Sequence, residues 1–248
     1  MINIVIPMAG RGSRFASAGY ELPKPLIDVA GKPMIDWVID NIAPKALHRF
    51  IFLCLQEHLD KYSLEDHLKS KAENCVIVPV NEVTEGAACT VLLAEQYIDN
   101  DSPLMIANSD QYVDVSIDEY MYSMGKNDGL IMTMKATDDK WSFIKYDENG
   151  FVTIVREKEV ISDEATVGIY NFARGAEFVK YAHDMIEKNI RVNNEFYVAP
   201  VYNMMIEDKK KIGFYNVGKV DNGMYGLGTP DDLKRFLKIY ASLNEMRT

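Results

Sequence analysis

Short apolar runs alternate with amphipathic stretches over residues 1–135, and this alternation constrains the fold more than any other feature. Asn3–Pro7, Arg49–Leu55, Cys75–Val80, Pro103–Asn108 and Gly129–Lys135 read as strands, being apolar and bounded by turn residues. Between them, Pro33–Ala43, Glu57–Lys69, Gly86–Ile98 and Ser116–Met124 carry helical spacing. Pro33 suits a helix start, where its missing N–H costs nothing. Strand–helix alternation predicts an α/β fold: a Rossmann-like, mixed but mostly parallel sheet flanked by helices. Ligands then belong in the crevice at the carboxyl ends of the strands.

After residue 136 the rhythm changes. Ser142–Tyr146 and Phe151–Arg156, split by Asp147-Glu148-Asn149-Gly150, predict a β-hairpin with an Asn-Gly turn signal. Ala165–Phe172 and Lys211–Val217 predict further strands, and Gly175–Lys188, Glu195–Asp208 and Asp231–Met246 predict helices. No repeat, linker or low-complexity tract interrupts the chain. The expectation is one domain over residues 1–248, with an α+β extension over 136–248 that continues the sheet of 1–135.

Charge narrows the range of partners. Against 27 Lys+Arg stand 37 Asp+Glu, a formal net charge of −10, which argues against nucleic acid or an anionic membrane as the main partner. Cys54, Cys75 and Cys89 form no CxxC pair and are odd in number, as expected of reduced, buried thiols in a cytoplasmic protein. The amino terminus lacks a basic n-region and meets Pro7 and Gly10 early, so no signal peptide is expected. No apolar run approaches the roughly 20 residues that span a bilayer. His48, His58, His67 and His183 lack zinc spacing, and no Gly-x-Ser-x-Gly elbow is present.

The sharpest motif follows the first strand: Pro7-Met8-Ala9-Gly10-Arg11-Gly12-Ser13-Arg14-Phe15, then Leu22-Pro23-Lys24-Pro25-Leu26. Small residues let backbone N–H groups converge on an anion. A dinucleotide fingerprint would need a third glycine where Phe15 stands, and no Gly-Lys-Ser/Thr of a P-loop exists. What remains is a glycine turn carrying Arg11, Arg14 and Lys24, which suits a polyphosphate whose charge changes during reaction. Leu104–Ser109 is an apolar strand running into Asp110, a carboxylate placed where Mg²⁺ and substrate phosphates could meet. At Thr84-Glu85-Gly86-Ala87-Ala88, small residues leave room for a flat ring against the backbone.

Ala9-Gly10-x-Gly12-x-Arg14, Pro23-Lys24-Pro25-Leu26 and Gly31-Lys32-Pro33-Met34 together resemble the sugar-phosphate nucleotidyltransferase family, closely over the first 35 residues and more weakly beyond. The resemblance implies a glycosyltransferase-A-like sheet whose 1–135 half binds a nucleoside triphosphate and whose 136–248 half binds a small phosphorylated acceptor. It places the triphosphate on the segment Met8, Ala9, Gly10, Arg11, Gly12, with Arg14, and gives Lys24 the phosphate at the reacting centre. It gives base reading to Gln56, Gly86 and Ala87, the Mg²⁺ cofactor to Asp110, and the acceptor and its phosphate to Glu157 and Lys158.

The acceptor side departs from the family's pattern. Glu159 replaces a proline after Glu157-Lys158, and Thr166-Val167-Gly168-Ile169-Tyr170 carries two substitutions in a motif expected to hold the acceptor at Gly168. Trp141-Ser142-Phe143 stands where hexose-phosphate enzymes show Tyr-Gly, and Asn194-Glu195 keeps a glutamate but not the preceding glycine. Gly226 occupies the place of a second metal-binding aspartate, with Asp221 as a nearby substitute. This drift makes the chain most similar to capsule-biosynthesis cytidylyltransferases, phosphoglutamine-using members above all, so CTP and a phosphoglutamine-like acceptor are expected. The alternatives are a sugar-1-phosphate nucleotidyltransferase making an NDP-sugar and a nucleotide-sensing module without turnover. A glycosyltransferase of related fold fits less well, because Asn108-Ser109-Asp110 lacks the first Asp of an Asp-x-Asp motif. The sequence leaves the oligomeric state open, a homo-oligomer included.

Overall fold

The computed structural model describes residues 1–245. Its strands are β1 (Ile2–Met8), β2 (Asp28–Val29), β3 (Lys32–Pro33), β4 (His48–Leu55), β5 (Val76–Val80), β6 (Leu104–Ala107) and β7 (Gln111–Val113). They continue as β8 (Gly129–Lys135), β9 (Ser142–Tyr146), β10 (Val152–Glu157), β11 (Glu164–Phe172), β12 (Ile212–Val220) and β13 (Gly223–Gly226). The main sheet runs β5-β4-β1-β6-β11-β8-β12-β13-β7, with the β9–β10 hairpin joined to β11. β4 and β6 flank β1 in parallel, β5 pairs β4 in parallel, and β12 pairs β8 in parallel. β11 runs antiparallel to both β6 and β8. The fold is therefore a mixed, mostly parallel α/β sheet, continuous across residue 135 because β8 lies between β11 and β12.

Alternation along the strands sorts side chains to two faces. Val5, Ile51, Leu53 and Ile106 pack with the helices Ala87–Leu92, Gly175–Glu187 and Val201–Glu207. Ile4, Ile6, Phe50, Phe52 and Met105 pack against Met34–Ile42, Leu64–Lys71 and Ile117–Ser123. A third cluster, Phe15, Ile27, Val29, Met34, Tyr225, Leu227, Leu233 and Phe236, ties the segment after β1 to the carboxyl-terminal helix Pro230–Glu245. Trp37 stands at its edge, its ring centroid 5.3 Å from Phe236 and 5.7 Å from Tyr112, with Nε1 donating to Val29 O at 2.7 Å.

Five local readings change. The helix expected over Gly86–Ile98 is two, Ala87–Leu92 and Glu95–Ile98. The helix expected over Glu57–Lys69 is two, Gln56–Tyr62 and Leu64–Lys71, broken at Ser63 with φ 49° so that Leu64 and Leu68 turn into the core. The helix expected from Glu195 starts only at Val201, because the Phe196 peptide is bonded to Glu85 O and Ala88 N and Pro200 brings no N–H. In the hairpin only Gly150 is left-handed, at φ 80°. Asp147 Oδ1 accepts from the N–H groups of Asn149 and Phe151, so the Asn-Gly pair lies in a five-residue connection, 147–151, rather than a two-residue turn. β2, β3, β7 and β13 are too short to leave a periodic signal. The carboxyl-terminal helix is described to Glu245, and Met246 lies outside the described residues.

Candidate active site

The carboxyl ends of β1 and β6 open into a common cleft, and each group that reaches it is held by its local sequence. Gly12 adopts φ 61°, and a Cβ there would lie 3.3 Å from Lys24 Cβ, so glycine lets the loop lie against Lys24. Pro23 and Pro25 fix the backbone around Lys24, which begins a 3-10 turn. Its Nζ lies 2.8 Å from Asp110 Oδ2, both side chains about a quarter exposed, at 23% and 25%. Asp110 follows β6, and its carbonyl accepts from Leu227 N at 2.8 Å. A Cβ on Gly228 would meet Asp110 Oδ2 at 2.4 Å, so that glycine makes the room the carboxylate uses. Gly12, Ser13, Arg14, Lys24, Asp110 and Gly228 line one recess.

A second recess is lined by Ala9, Gly10, Thr84, Gly86, Ala87 and Glu195. Gly86 has φ 132°, and a Cβ there would fall 2.5 Å from both N and O of Phe196. The chains are clamped at this point: Phe196 N donates to Glu85 O at 2.8 Å and Ala88 N to Phe196 O at 3.0 Å. Gly86→Ala is therefore expected to lower stability by about 1–3 kcal/mol and to weaken nucleoside triphosphate binding. Urea denaturation and a binding titration would show both, and wild-type values in the two would overturn this reading of the clamp.

The third recess, of about 270 Å³, is lined by Ala87, Asn108, Trp141, Ser142, Glu157, Thr166, Gly168, Tyr170 and Tyr197 among others. It shares Asn108, Lys140 and Trp141 with a larger cleft of about 490 Å³ that also holds Arg14, Asp110, Gln111, Lys158 and Arg235. Gly168, at φ 84°, sits where β11 shifts register against β8 between Thr166 and Tyr170. That irregularity brings Thr166 Oγ1 within 3.0 Å of the Tyr170 hydroxyl, both lining the recess. Ser142 Oγ donates to Glu157 Oε2. Lys158 has φ 55°, donates its N–H to Trp141 O at 3.0 Å, and reaches the Tyr197 hydroxyl with Nζ at 2.6 Å.

Burial pushes the Glu157 carboxyl above the usual carboxylate range, against the lowering effects of the Ser142 hydrogen bond and Lys158. A raised folded-state pKa means that the folded protein holds this proton at a pH where the unfolded chain has lost it. Stability then falls as pH rises from the ordinary carboxylate range through the raised value. Glu157→Gln should accordingly be no less stable than wild type at neutral pH, and any gain should shrink toward about pH 4. Its turnover should fall. Thermal melts across that range check the sign, and a variant clearly less stable at neutral pH would overturn it.

Most of the expected residues meet in these connected recesses: Ala9, Gly10, Gly12, Arg14, Lys24, Gly86, Ala87, Asp110, Trp141, Glu157, Lys158, Gly168 and Glu195. Glu195, expected beside the acceptor, lines the recess of Gly10 and Gly86, and its carboxylate also hydrogen-bonds the Tyr197 side chain and acts on Glu157 and Lys158. Met8 is buried in the core at the end of β1, and Arg11 is exposed and lines none of the four recesses. Gln56 heads a helix and donates Nε2 to Asp60 Oδ1 at 2.7 Å, outside them. Asp221, at φ 61° between β12 and β13, lies 3.5 Å from Arg235 Nε. A Cβ on Gly226 would lie 3.7 Å from Asp232 Oδ2, a carboxylate that accepts from Thr229 Oγ1 at 2.6 Å and pairs with Arg235.

Gln111, Lys140 and Arg235 belong to no motif of the sequence, and Asn108, Thr166, Tyr170 and Tyr197 lie inside motifs that give them no role, yet all seven line the cleft. Gln111 Nε2 and Trp141 Nε1 are buried without a partner, which marks the cleft as built for polar ligand atoms. Asp110 supplies one carboxylate beside open space, a donor suited to Mg²⁺ that keeps most of its ligands as water and phosphate oxygens. Among the described residues no group of three or more His, Cys, Asp or Glu is gathered to hold a metal, and no helix is long and apolar enough to cross a membrane. Cys54, Cys75 and Cys89 are free thiols, and burial pushes Cys54 up to about 12, far from a reactive thiolate.

The chain is similar to a nucleoside-diphosphate-sugar pyrophosphorylase from Vibrio cholerae RC9, with a TM-score of 0.82 and 26% identity over 95% of this chain and 99% of that one. Its fold also resembles an inositol-1-phosphate CTP transferase from T. maritima, with a TM-score of 0.76 and 13% identity over 98% and 96% of the two chains. Among curated proteins, the catalytic subunit beta of mannose-1-phosphate guanylyltransferase from Drosophila melanogaster is 24% identical over 68% of this chain and 47% of its own length. The chain spans about half the length of such curated relatives or less. A family model described as nucleotidyl transferase matches residues 4–234, so the chain belongs to the nucleotidyl transferase family.

Proposed function

We propose that the protein transfers a nucleotidyl group from a nucleoside triphosphate onto a sugar 1-phosphate, forming an NDP-sugar and releasing pyrophosphate. The observation that carries this reading is the Lys24–Asp110 pair, which stands beside the glycine loop and opens onto the cleft holding Lys158, Trp141 and Glu157. The names of the relatives above carry mannose 1-phosphate, inositol 1-phosphate and a nucleoside-diphosphate-sugar, which supports the acceptor class.

Chemically, an acceptor phosphate oxygen attacks the α-phosphorus in line as pyrophosphate departs. A phosphate monoester with a second pKa of about 6 is already ionised at neutral pH, so no protein base is required. Arg14 and Lys24 hold and neutralise the triphosphate, Gly10 and Gly86 admit the nucleoside, and Lys158 orients the acceptor phosphate. Asp110 would hold Mg²⁺, which when bound supplies charge neutralisation on the phosphate oxygens.

A second reading is cytidylyl transfer to a non-hexose phosphorylated acceptor, phosphoglutamine-like, in capsular precursor synthesis. The aromatic lining of Trp141, Tyr170 and Tyr197, together with Trp141-Ser142 where Tyr-Gly is usual, favours it. A matrix of nucleoside triphosphates against glucose 1-phosphate, mannose 1-phosphate, phosphocholine and phosphoglutamine, read by pyrophosphate release, separates the two. Release with a sugar 1-phosphate supports the first reading and release only with CTP and a non-sugar acceptor the second. Triphosphate binding without release under any pairing would sink both and leave a nucleotide sensor.

A further inference from the structure

Residues 195–197 join the two ligand recesses. Glu195 lines the recess of Gly10 and Gly86, whereas Tyr197 lines that of Trp141, Glu157 and Gly168. Between them, the Phe196 backbone is fixed to the Gly86 segment by hydrogen bonds to Glu85 O and from Ala88 N. The Tyr197 hydroxyl receives Lys158 Nζ at 2.6 Å. Lys158 is otherwise exposed on a left-handed backbone just past β10, so its long side chain has no other hydrogen-bond partner among the described residues.

We propose that Tyr197 is a positioning residue, which holds the Lys158 ammonium at the mouth of the acceptor recess and ties its place to the backbone that forms the nucleotide recess. The inference rests on the nucleotidyl-transfer reading and adds to it a residue to which no motif in the sequence gives a role. An unanchored lysine samples many rotamers, and fixing its ammonium before the phosphate arrives removes an ordering cost from acceptor binding. The Tyr197 hydroxyl also accepts a hydrogen bond that raises the Lys158 pKa, and so keeps the ammonium charged.

The test is a double-mutant cycle of Tyr197→Phe and Lys158→Met. Tyr197→Phe keeps the ring and removes only the hydroxyl. It should raise KM for glucose 1-phosphate about tenfold, the scale of one hydrogen bond to a charged group. Triphosphate affinity and the melting midpoint should stay at wild-type values. In the Lys158→Met background the same change should have no further effect on KM. Titration of inorganic phosphate, followed by Trp141 fluorescence in a Trp37→Phe background, gives a readout that needs no turnover and should weaken in parallel. Effects that add across the cycle, or an unchanged acceptor KM in Tyr197→Phe, would overturn the proposal. A wild-type enzyme that releases no pyrophosphate with any acceptor would instead remove the functional reading beneath it, while the phosphate titration would still test whether Tyr197 places Lys158.

Discussion

Lys24→Ala is expected to slow pyrophosphate release by about 10²-fold or more, the loss typical of one preorganised donor to transition-state charge. The melting midpoint should barely move, and the contrast between the two is informative. The Lys24–Asp110 pair is about a quarter exposed on each side, at 23% and 25%, where ion pairs contribute about 1 kcal/mol or less to stability. A lysine kept for the fold would show a stability loss in proportion to its rate loss. A lysine kept for the reaction shows the rate loss alone, because its ammonium meets the developing charge only when substrates are bound. Steady-state rates with a saturating triphosphate, beside a thermal melt, decide between the two. Wild-type turnover in this variant would remove Lys24 from the reacting centre.

Phe236→Ala should lower stability by about 3–5 kcal/mol, as large-to-small changes at buried aromatics do. Phe236 is 4% exposed, and its ring meets Trp37 at 5.3 Å and Tyr225 at 5.9 Å between centroids. The cavity left behind would sit in the cluster that joins the carboxyl-terminal helix to Phe15 and Ile27, and so to the chain segment that carries Lys24. The melting midpoint should fall by about 10 °C, at roughly 2–4 °C per kcal/mol for a chain of this size. Triphosphate affinity should fall further than stability alone explains, since Phe15 follows Arg14 directly and Ile27 ends the Lys24 turn. Calorimetry and a binding titration below the transition measure the two effects, and an unchanged midpoint would show that this cluster does not hold the loop.

The site was legible in the sequence to different depths on its two sides. Arg14, Lys24 and Asp110, which line one recess, stand out in the sequence because each belongs to a local pattern: a glycine turn after one strand, a Pro-Lys-Pro turn, and a carboxylate at the end of another strand. Glu195 stands between the two recesses, and its link to the Gly86 recess depends on the clamp that fixes Phe196, which no local pattern reveals. Tyr197 and Arg235 have no role that a local pattern assigns, and only the folded chain places them on the walls of the cleft.

Hydrophobic periodicity and turn chemistry, which act over a few residues, determined from the sequence alone the α/β class, most strands of the main sheet and the glycine turn after β1. Only the tertiary structure decided the sheet order, in which β11 enters antiparallel between β6 and β8, and the composition of the recess around Trp141 and Gly168. Those depend on contacts between residues far apart in the chain, such as Lys24 with Asp110 and Lys158 with Tyr197. Such contacts are set by packing and register, for which a period of two or 3.6 residues holds no information.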